Sequence, residues 1–307
     1  MCKKILKKIF GDKIYDFADS LAELKNRLLS DKHKIKRDYK RVFHRDINLN
    51  DPQTLNEKIN WLKLHEHKKE YTKFADKYLA REYISQNFGE SFLVPLEAHF
   101  KRLKDMKNYV LPNYPVVIKS NNGSGTVMIV KDRTKYDFES AKKTFKKWLN
   151  DNYYYRSCEY QYKHIKNQII VERLLLTKDG KIPNDYKLNF FNGKLVMVYC
   201  SIDREGANYR QMFDENWKRL PFDWSGHQRL DDHPDTPKPL SFDKMLEIGQ
   251  KVSSQFDYVR VDFYDVDGQL YCGEITLHHG SGLDPFYPDE YDLIYGQRLS
   301  LTNLKKK

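Results

Sequence analysis

The period at which apolar residues recur along the chain changes near residue 116. Before that point the spacing is helical, and it predicts one helix in LNEKINWLKLH (55–65) and a second, continuous helix over 71–88. Thr54 precedes the first helix and Glu57 follows three residues later, which is the pattern of a capping box. The first part of the chain is therefore predicted to be mainly helical.

After residue 116, short runs of β-branched and aromatic residues alternate with turn residues. VVIKS and TVMIV flank the glycine-rich segment NNGSG (121–125), and a second strand pair turns at Asn192-Gly193, a strong hairpin signal. A further helix is predicted over 241–256, with Ser241 as its N-cap. Antiparallel hairpins interleaved with helices predict an α+β fold.

Composition narrows the class of protein. The chain has 307 residues, 40% of them hydrophobic, which is enough for about two domains with packed cores. The formal charge of +11 indicates an anionic partner. Apolar runs are far shorter than the roughly 18 residues of a membrane span, no signal peptide is evident and the four cysteines form no CxxC pair, so a cytoplasmic protein is expected.

Residues 3–30 are basic and carry apolar residues at helical spacing, which predicts one or two amphipathic helices. Such a segment either packs on its own protein or lies on an anionic membrane surface. Peripheral contact with the inner face of the membrane is therefore one expectation, and packing on the protein is the other.

Two acids, Asp262 and Glu274, lie in the apolar strand pair VRVDFYDVDGQLYCGEIT (259–276). A three-residue loop, Val266–Gly268, would pair Asp262 with Cys272 and leave Glu274 diagonal to Asp262 on the same face, whereas a two-residue loop would send the acids to opposite faces. The turn sequence favours the first arrangement. Two carboxylates at that separation suit a bridging Mg²⁺, whereas an ion pair with Arg260 or exposure to solvent is the structural alternative.

Three other segments carry residues suited to nucleotide binding. Lys119 ends a strand before the flexible tip Gly123–Gly125, whose N–H groups could approach phosphate oxygens, although most such tips are simple turns. Glu172 lies in the apolar strand IIVERLL, and Asp185 and Lys187 share one face of the next strand. For these three residues, simple exposure on a strand is the alternative reading.

The order of these segments resembles the TupA-like ATP-grasp family, a group of bacterial surface-polysaccharide proteins. The resemblance covers nearly everything after residue 50 and is carried by these segments: LNEKINWLKLH, ADKYLAREY, KSNNGSG, VERLL, NDYKLNFFNGK, VRVDFYDVDGQLYCGEIT and GSGLDPF. It implies ATP and Mg²⁺ as cofactors and an adenine nucleotide held between two α+β subdomains, with a helical N-terminal extension. The implied segments are 1–50 (basic, helical), 51–115 (lead-in subdomain), 116–180 (glycine-loop lid) and 181–307 (metal and nucleotide subdomain).

The resemblance also implies a role for each candidate residue. The nucleotide-binding set would be Lys119, Gly123, Ser124, Gly125, Glu172, Asp185 and Lys187. Asp262 and Glu274 would hold the metal, and Arg260, with Lys187, would act in catalysis. Many ATP-grasp enzymes have asparagine two residues after the glutamate, and this chain has Thr276, so one of two metal positions is in doubt.

The implied activity is ATP-dependent ligation of a carboxylate, from an amino acid or a uronic acid, to an amine through an acylphosphate. One rival is a metal-dependent glycosyltransferase that uses the DxD of Asp265-Val266-Asp267. A nucleic-acid-binding module fits the charge, but no recognised fingerprint is present, so no nucleic-acid partner is expected. His278 and His279 follow the second acid strand and either line the acceptor pocket or fill the core.

Overall fold

A computed structural model describes residues 27–225 and 233–302 of the chain. Apart from residues 27–30, the helices predicted over 3–30 lie outside this part. The described helices, α1 to α9 in chain order, are Asp31–Phe43, Leu55–His65, Thr72–Ala75, Leu79–Phe88, Leu103–Met106, Phe138–Asn150, Tyr154–Ser157, Phe242–Ser253 and Glu290–Arg298. The strands, β1 to β11, are Leu96–Phe100, Val116–Ser120, Val127–Val130, Ile169–Arg173, Asp185–Phe191, Lys194–Ile202, Tyr209–Phe213, Asp223–Trp224, Tyr258–Val266, Gln269–Thr276 and Phe286–Tyr287.

Local capping explains where the helices begin. The capping box at α2 is confirmed, because Thr54 accepts from the backbone N–H of Glu57 and Glu57 accepts from that of Thr54. Ser241 occupies the N-cap position of α8 as predicted, but its side chain makes no capping hydrogen bond, because its hydroxyl donates to Asp265 Oδ2 at 2.6 Å.

The prediction of one continuous helix over 71–88 is wrong, because the structure has two helices, α3 and α4, with an interruption between them. The carboxylate of Asp76 accepts from the N–H groups of Tyr78 and Leu79, which replaces helical bonding with a turn. The interruption leaves Lys77 outside both helices.

The first of the two larger sheets, the N-terminal sheet, is antiparallel with the order β1-β4-β2-β3. One face packs on α6 through Ile118, Val171 and Phe145, each fully buried. Strand alternation sends Val117, Lys119 and Glu172 to the opposite face. This sheet therefore has a core face and a second face free to form the wall of a cleft.

The second, the C-terminal sheet, is antiparallel with the order β10-β9-β5-β6-β7. Its core face packs on α8, where Leu188, Val261 and Met245 are fully buried. The other face is covered at one end by apolar residues of α2 and α9. The rest of that face carries polar side chains and lies opposite the N-terminal sheet.

The two sheets with their helices confirm the α+β prediction. The boundaries predicted for the four segments stay a prediction, although β1, which precedes residue 116, pairs with β4 of the N-terminal sheet. None of the helices in the described ranges is long and apolar enough to cross a membrane.

Candidate active site

A cavity of about 230 Å³ lies between the two sheets. The N-terminal sheet contributes Lys119 and Glu172 together with three apolar side chains, Val117, Val127 and Ile129. The C-terminal sheet contributes Asp185, Lys187, Asp262, Tyr264 and Glu274, and further residues are supplied by the connecting segments. Six of the nucleotide- and metal-binding residues predicted from sequence are thus brought to one cavity.

The predicted three-residue loop between β9 and β10 is wrong. Val266 pairs with Gln269, so the loop has two residues, Asp267 and Gly268, both with positive φ (54° and 92°) as a primed turn requires. A regular ladder from this turn would place Asp262 and Glu274 on opposite faces.

A β-bulge at Gly273 restores the same-face arrangement. The register shifts between Cys272 and Glu274, so Glu274 pairs directly with Asp262 instead of lying diagonal to it. A Cβ on Gly273 would lie 2.9 Å from the ring of Tyr264, so the bulge needs a residue without a side chain. The acids therefore face the same cavity by a different route from the one predicted.

Asp262 is the centre of a buried ion-pair network. It is 2% exposed and accepts from Arg260 through both oxygens, at 2.7 and 2.8 Å, and from Lys187 Nζ at 2.8 Å. Burial raises the pKa of the Asp262 carboxyl, but Arg260 and Lys187 outweigh it and hold that pKa at about 2. Asp262 is therefore ionised at neutral pH. The ion pair with Arg260, which the sequence offered as the alternative to a metal site, is present.

Two hydrogen bonds besides those to Asp262 hold the Arg260 guanidinium in place. Its Nη1 donates to His279 Nδ1 at 2.8 Å, and its Nη2 donates to Thr276 Oγ1 at 3.1 Å. Because arginine can only donate, Nδ1 of His279 must be unprotonated, and Nε2 then carries the proton, 3.0 Å from Asp284 Oδ2. Burial lowers the pKa of His279 more than Asp284 raises it, which keeps this ring neutral.

His279 thus positions Arg260, and it stacks on Trp224 at 3.8 Å between ring centroids. His278 is also buried and its Nδ1 lies 3.0 Å from Gln161 Nε2. Thr276, two residues after Glu274, accepts from Arg260.

Glu274 is paired with a lysine that the sequence analysis missed. Lys77 Nζ lies 3.0 Å from Glu274 Oε1 and donates to the backbone carbonyl of Gly123 at 2.6 Å. Lys77 can bridge these groups because the turn at Asp76 interrupts the helix there. The aspartate followed by lysine in ADKY, a sequence that favours a turn, was the available signal.

On the opposite wall, Glu172 is held between two cations. Its carboxylate lies 2.6 Å from Lys119 Nζ and 3.1 Å from Arg81 Nη1, and Glu172 is 5% exposed. Arg81 was not predicted, since it lies on α4, far from the strand in sequence. Both lysines of the predicted nucleotide site, Lys119 and Lys187, thus have carboxylate partners.

The residues present fit a divalent cation. Two carboxylates, Asp262 and Glu274, face each other across the strand pair, and Mg²⁺ takes one or two carboxylates plus phosphate oxygens. Asp185 also lines the cavity, pairs with Lys187 and has a buried Oδ1 without a hydrogen-bond partner in the described part of the chain. No group of three or more metal-binding side chains occurs among the described residues.

The glycine-rich tip, unlike the six predicted residues that line the cavity, lies outside the cavity lining. Gly123, Ser124 and Gly125 are described but do not line the cavity. Gly123 has φ +78°, and a Cβ there would meet the Tyr153 ring at 2.8 Å, so only glycine fits between this ring and the Lys77 contact. The tip is fastened to the cleft through Lys77.

This cleft between two α+β units, with its paired acids and lysines, is the arrangement of an ATP-grasp fold. The chain belongs to the TupA-like ATP-grasp family, whose sequence model matches residues 57–300. The resemblance inferred from the sequence motifs is therefore confirmed. No curated protein sequence matches the chain.

Solved structures give more distant likenesses. The D-alanine–D-alanine ligase of Helicobacter pylori is 16% identical with a TM-score of 0.41, covering 76% of this chain and 60% of that one. The Bacillus anthracis enzyme of the same name is 15% identical with a TM-score of 0.38, covering 66% and 56%. Phosphoribosylamine–glycine ligase of Thermotoga maritima is 12% identical with a TM-score of 0.40, covering 70% and 51%. The chain thus spans little more than half the length of these proteins.

Proposed function

We propose that the protein is an ATP-dependent ligase that joins a carboxylate to an amine through an acylphosphate, with Mg²⁺ as its metal. The observation that carries the proposal is the cleft itself, in which apolar side chains face a wall of ionised carboxylates and cations. Family membership supports the same activity. An adenine ring would lie against the apolar side chains, and a triphosphate would reach the charged wall.

In the absence of nucleotide, the cations of the cleft are paired with carboxylates. Lys119 pairs with Glu172, Lys187 with Asp185 and Asp262, and these pairs keep the charges compensated. Phosphate oxygens would replace the carboxylates as partners of the lysines. Loss of the Lys187 contact would leave Asp262, still held by Arg260, to bind a magnesium ion together with Glu274, and the ion would neutralise phosphate charge when bound.

The proposed reaction has two steps. A substrate carboxylate oxygen attacks the γ-phosphorus of ATP, a bond forms between that oxygen and phosphorus, and the bond to the β-phosphate oxygen breaks to release ADP. The amine nitrogen then attacks the acyl carbon, phosphate leaves, and the nitrogen loses a proton. Arg260, fixed by Asp262, His279 and Thr276, would stabilise the charge that develops on the acyl oxygen.

We further propose that the carboxylate belongs to an amino acid or a uronic acid and that the product enters surface-polysaccharide synthesis in the cytoplasm. This part rests on the family's context. Peripheral membrane contact through the basic N-terminus remains a proposal, and that segment lies outside the described residues. No nucleic-acid partner is proposed.

The geometry does not favour the glycosyltransferase alternative. Asp265 accepts from Ser241 and from the N–H of Gly268, and Asp267 accepts from the N–H of Lys178. Both acids of the DxD thus hold the hairpin turn in place. Neither is among the described residues that line the cavity.

The test is to incubate the protein with ATP, Mg²⁺ and pools of amino acids and uronic-acid glycans, and to follow ADP and phosphate. We expect equal amounts of both products, dependent on a carboxylate and an amine. Hydrolysis independent of any acceptor, or consumption of a UDP-sugar without ATP, would contradict the proposal. Asp267→Ala is the matched control: it should leave the ligase nearly unaffected but would inactivate a DxD glycosyltransferase.

A further inference from the structure

Arg210 is a cation of the C-terminal sheet that has no carboxylate within ion-pair distance among residues 27–225 and 233–302. It lies on β7 opposite Ser201, which in turn lies opposite Asp185, so the three share the sheet face that carries Asp185 and Lys187, with Arg210 outside the described residues that line the cavity. Arg210 is half-buried and makes no side-chain hydrogen bond or ion pair within the described part of the chain. Its Nε is fully buried without a partner.

The surroundings of Arg210 explain why this absence of a partner matters. Burial lowers the pKa of its guanidinium to about 10, and the nearby carboxylates of Asp284 and Asp185 offset that burial only in part, so the side chain is charged at neutral pH and incompletely compensated. Every other cation considered above, Lys77, Lys119, Lys187 and Arg260, has a carboxylate partner. A buried donor without a partner is costly, and a ligand commonly supplies the missing acceptor.

A second unpartnered polar group lies against Arg210. Its guanidinium carbon is 4.7 Å from the centre of the Tyr199 ring, and the Tyr199 hydroxyl is fully buried without a hydrogen-bond partner in the described part of the chain. Tyr199 lies opposite Lys187 in the sheet, and its ring is 5.7 Å from that of His279. Arg210 and Tyr199 therefore lie next to Lys187 and next to His279, the residue that positions Arg260.

We infer that one substrate of the proposed ligase carries an additional anionic group, a carboxylate or a phosphate, and that Arg210 binds this group with the Tyr199 hydroxyl. The inference rests on the proposed function. β7 lies two strand spacings, about 10 Å, from β5 and its Lys187. The arginine side chain extends from β7 toward the site, so a small substrate with two anionic groups can cover the remaining distance. Planar guanidinium is the group best matched to either anion.

The direct test measures binding without relying on turnover. Inorganic phosphate and succinate are titrated separately, by calorimetry, into protein saturated with Mg²⁺ and ADP, and the Nε–H resonance of Arg210 is followed in ¹⁵N-arginine-labelled protein. We expect saturable binding of at least one dianion, with a shift of that resonance. Arg210→Gln should weaken binding at least tenfold, and Arg210→Lys should weaken it less.

Arg298→Gln is the matched control, since Arg298 also lies over a tyrosine ring, that of Tyr295, but on α9. It should bind both anions as the wild type does. Undiminished binding in Arg210→Gln, or no binding of either anion, would overturn the inference. Failure to bind ADP would instead count against the proposed function, and the same titrations repeated without ADP would still show whether Arg210 binds an anion.

Turnover then distinguishes the two anions. Glutamate differs from the nearly isosteric glutamine in the charge of one group, and O-phosphoserine differs from serine by its phosphate group. We expect Arg210→Gln to raise the KM of the charged member of one pair by 10- to 100-fold with little change in kcat, and to leave the neutral member unaffected. An equal loss for charged and neutral members would show a merely structural role and would refute the inference.

Discussion

The wall of the cleft formed by the N-terminal sheet is largely apolar, whereas the wall formed by the C-terminal sheet is largely ionic. On the first, Val127 and Ile129 are 53% and 46% exposed on an edge strand and line the cavity. On the second, Asp262 is almost inaccessible and is bonded to two cations. The first wall keeps apolar surface available to a ligand, and the second keeps its charges compensated until a ligand arrives.

The two walls also place different demands on stability. Removing an exposed apolar side chain costs little, because that side chain is already in water in the free protein. Removing one member of a buried ion pair leaves the other uncompensated, which costs about 3–5 kcal/mol. Substitutions should therefore separate binding from folding on the first wall and combine them on the second.

The largest effects are expected at the two acids. Asp262→Asn and Glu274→Gln should each lower ADP formation by roughly 100- to 1,000-fold, the loss typical of removing one charge-stabilising group. They should differ in stability, because Asp262 holds two cations whereas Glu274 is paired with Lys77 at the cleft surface. Thermal unfolding should show a fall in Tm for both variants, larger for Asp262→Asn than for Glu274→Gln. Wild-type turnover in either variant would remove the metal assignment.

The next effect concerns the ion pair of Lys119 with Glu172 on the otherwise apolar wall. Lys119→Met should weaken ATP binding by roughly 10- to 100-fold, since a hydrogen bond to a charged group contributes about 1.5–3 kcal/mol. Inorganic triphosphate, tested as a competitor, should lose affinity by a similar factor. Lys131→Met is the matched control, because Lys131 follows β3 of the same sheet but is exposed and does not line the cavity. Equal losses in both variants would indicate a general charge effect.

A smaller effect is expected from the apolar side chains. Ile129→Ser should weaken ATP binding by about 3- to 10-fold through lost contact with the base, an apolar-burial effect of roughly 1 kcal/mol. Triphosphate binding and Tm should not change. Val110→Ser, at an exposed position outside the cavity, is the control. A drop in triphosphate affinity would contradict the division of roles between the two walls.

The smallest effect is a dependence on pH. Burial holds the pKa of His279 below its ordinary 6.5, so the unfolded chain takes up the proton first as the pH falls. Stability should therefore decrease as the pH falls below about 6.5 and level off once folded His279 is protonated, and turnover should fall with it because Arg260 loses its acceptor. Tm measured from pH 8 to 5 should depend less on pH in His279→Gln. His278 is also buried with a lowered pKa, so part of the dependence should remain.

The exposed His164 provides the control for this measurement. His164→Gln should retain the pH dependence of the wild type. An unchanged profile in His279→Gln would mean that this ring does not report on the Arg260 contact.

Motif order was enough to predict the family and six of the residues that line the cleft. Residue types on strands could be assigned to faces by alternation alone, which is why Lys119, Glu172 and the pair Asp185 and Lys187 were found. Lys77 was missed because helical periodicity continued through it, and only the Asp76 turn removes it from the helix.

The acid pair shows what local rules cannot supply. Asp267-Gly268 forms the two-residue turn, and by turn geometry alone Glu274 would face away from Asp262. Packing against Tyr264 leaves room only for a glycine at 273, and the bulge there returns Glu274 to the cleft. A bulge depends on contacts across strands, so the sequence pattern predicted the right face for the wrong reason.

By itself, the sequence determined the α+β class, the capping box at Thr54, the hairpins and the identity of the acids and lysines, because these depend on neighbours within a few residues of one another. Tertiary structure alone decided that Arg260 is held by His279, that Lys77 links the glycine tip to Glu274 and that Arg210 Nε has no hydrogen-bond partner among the described residues. The physical reason is that the residue type fixes whether a side chain is charged. Whether that charge has a partner depends on which distant side chains the fold brings within hydrogen-bond distance.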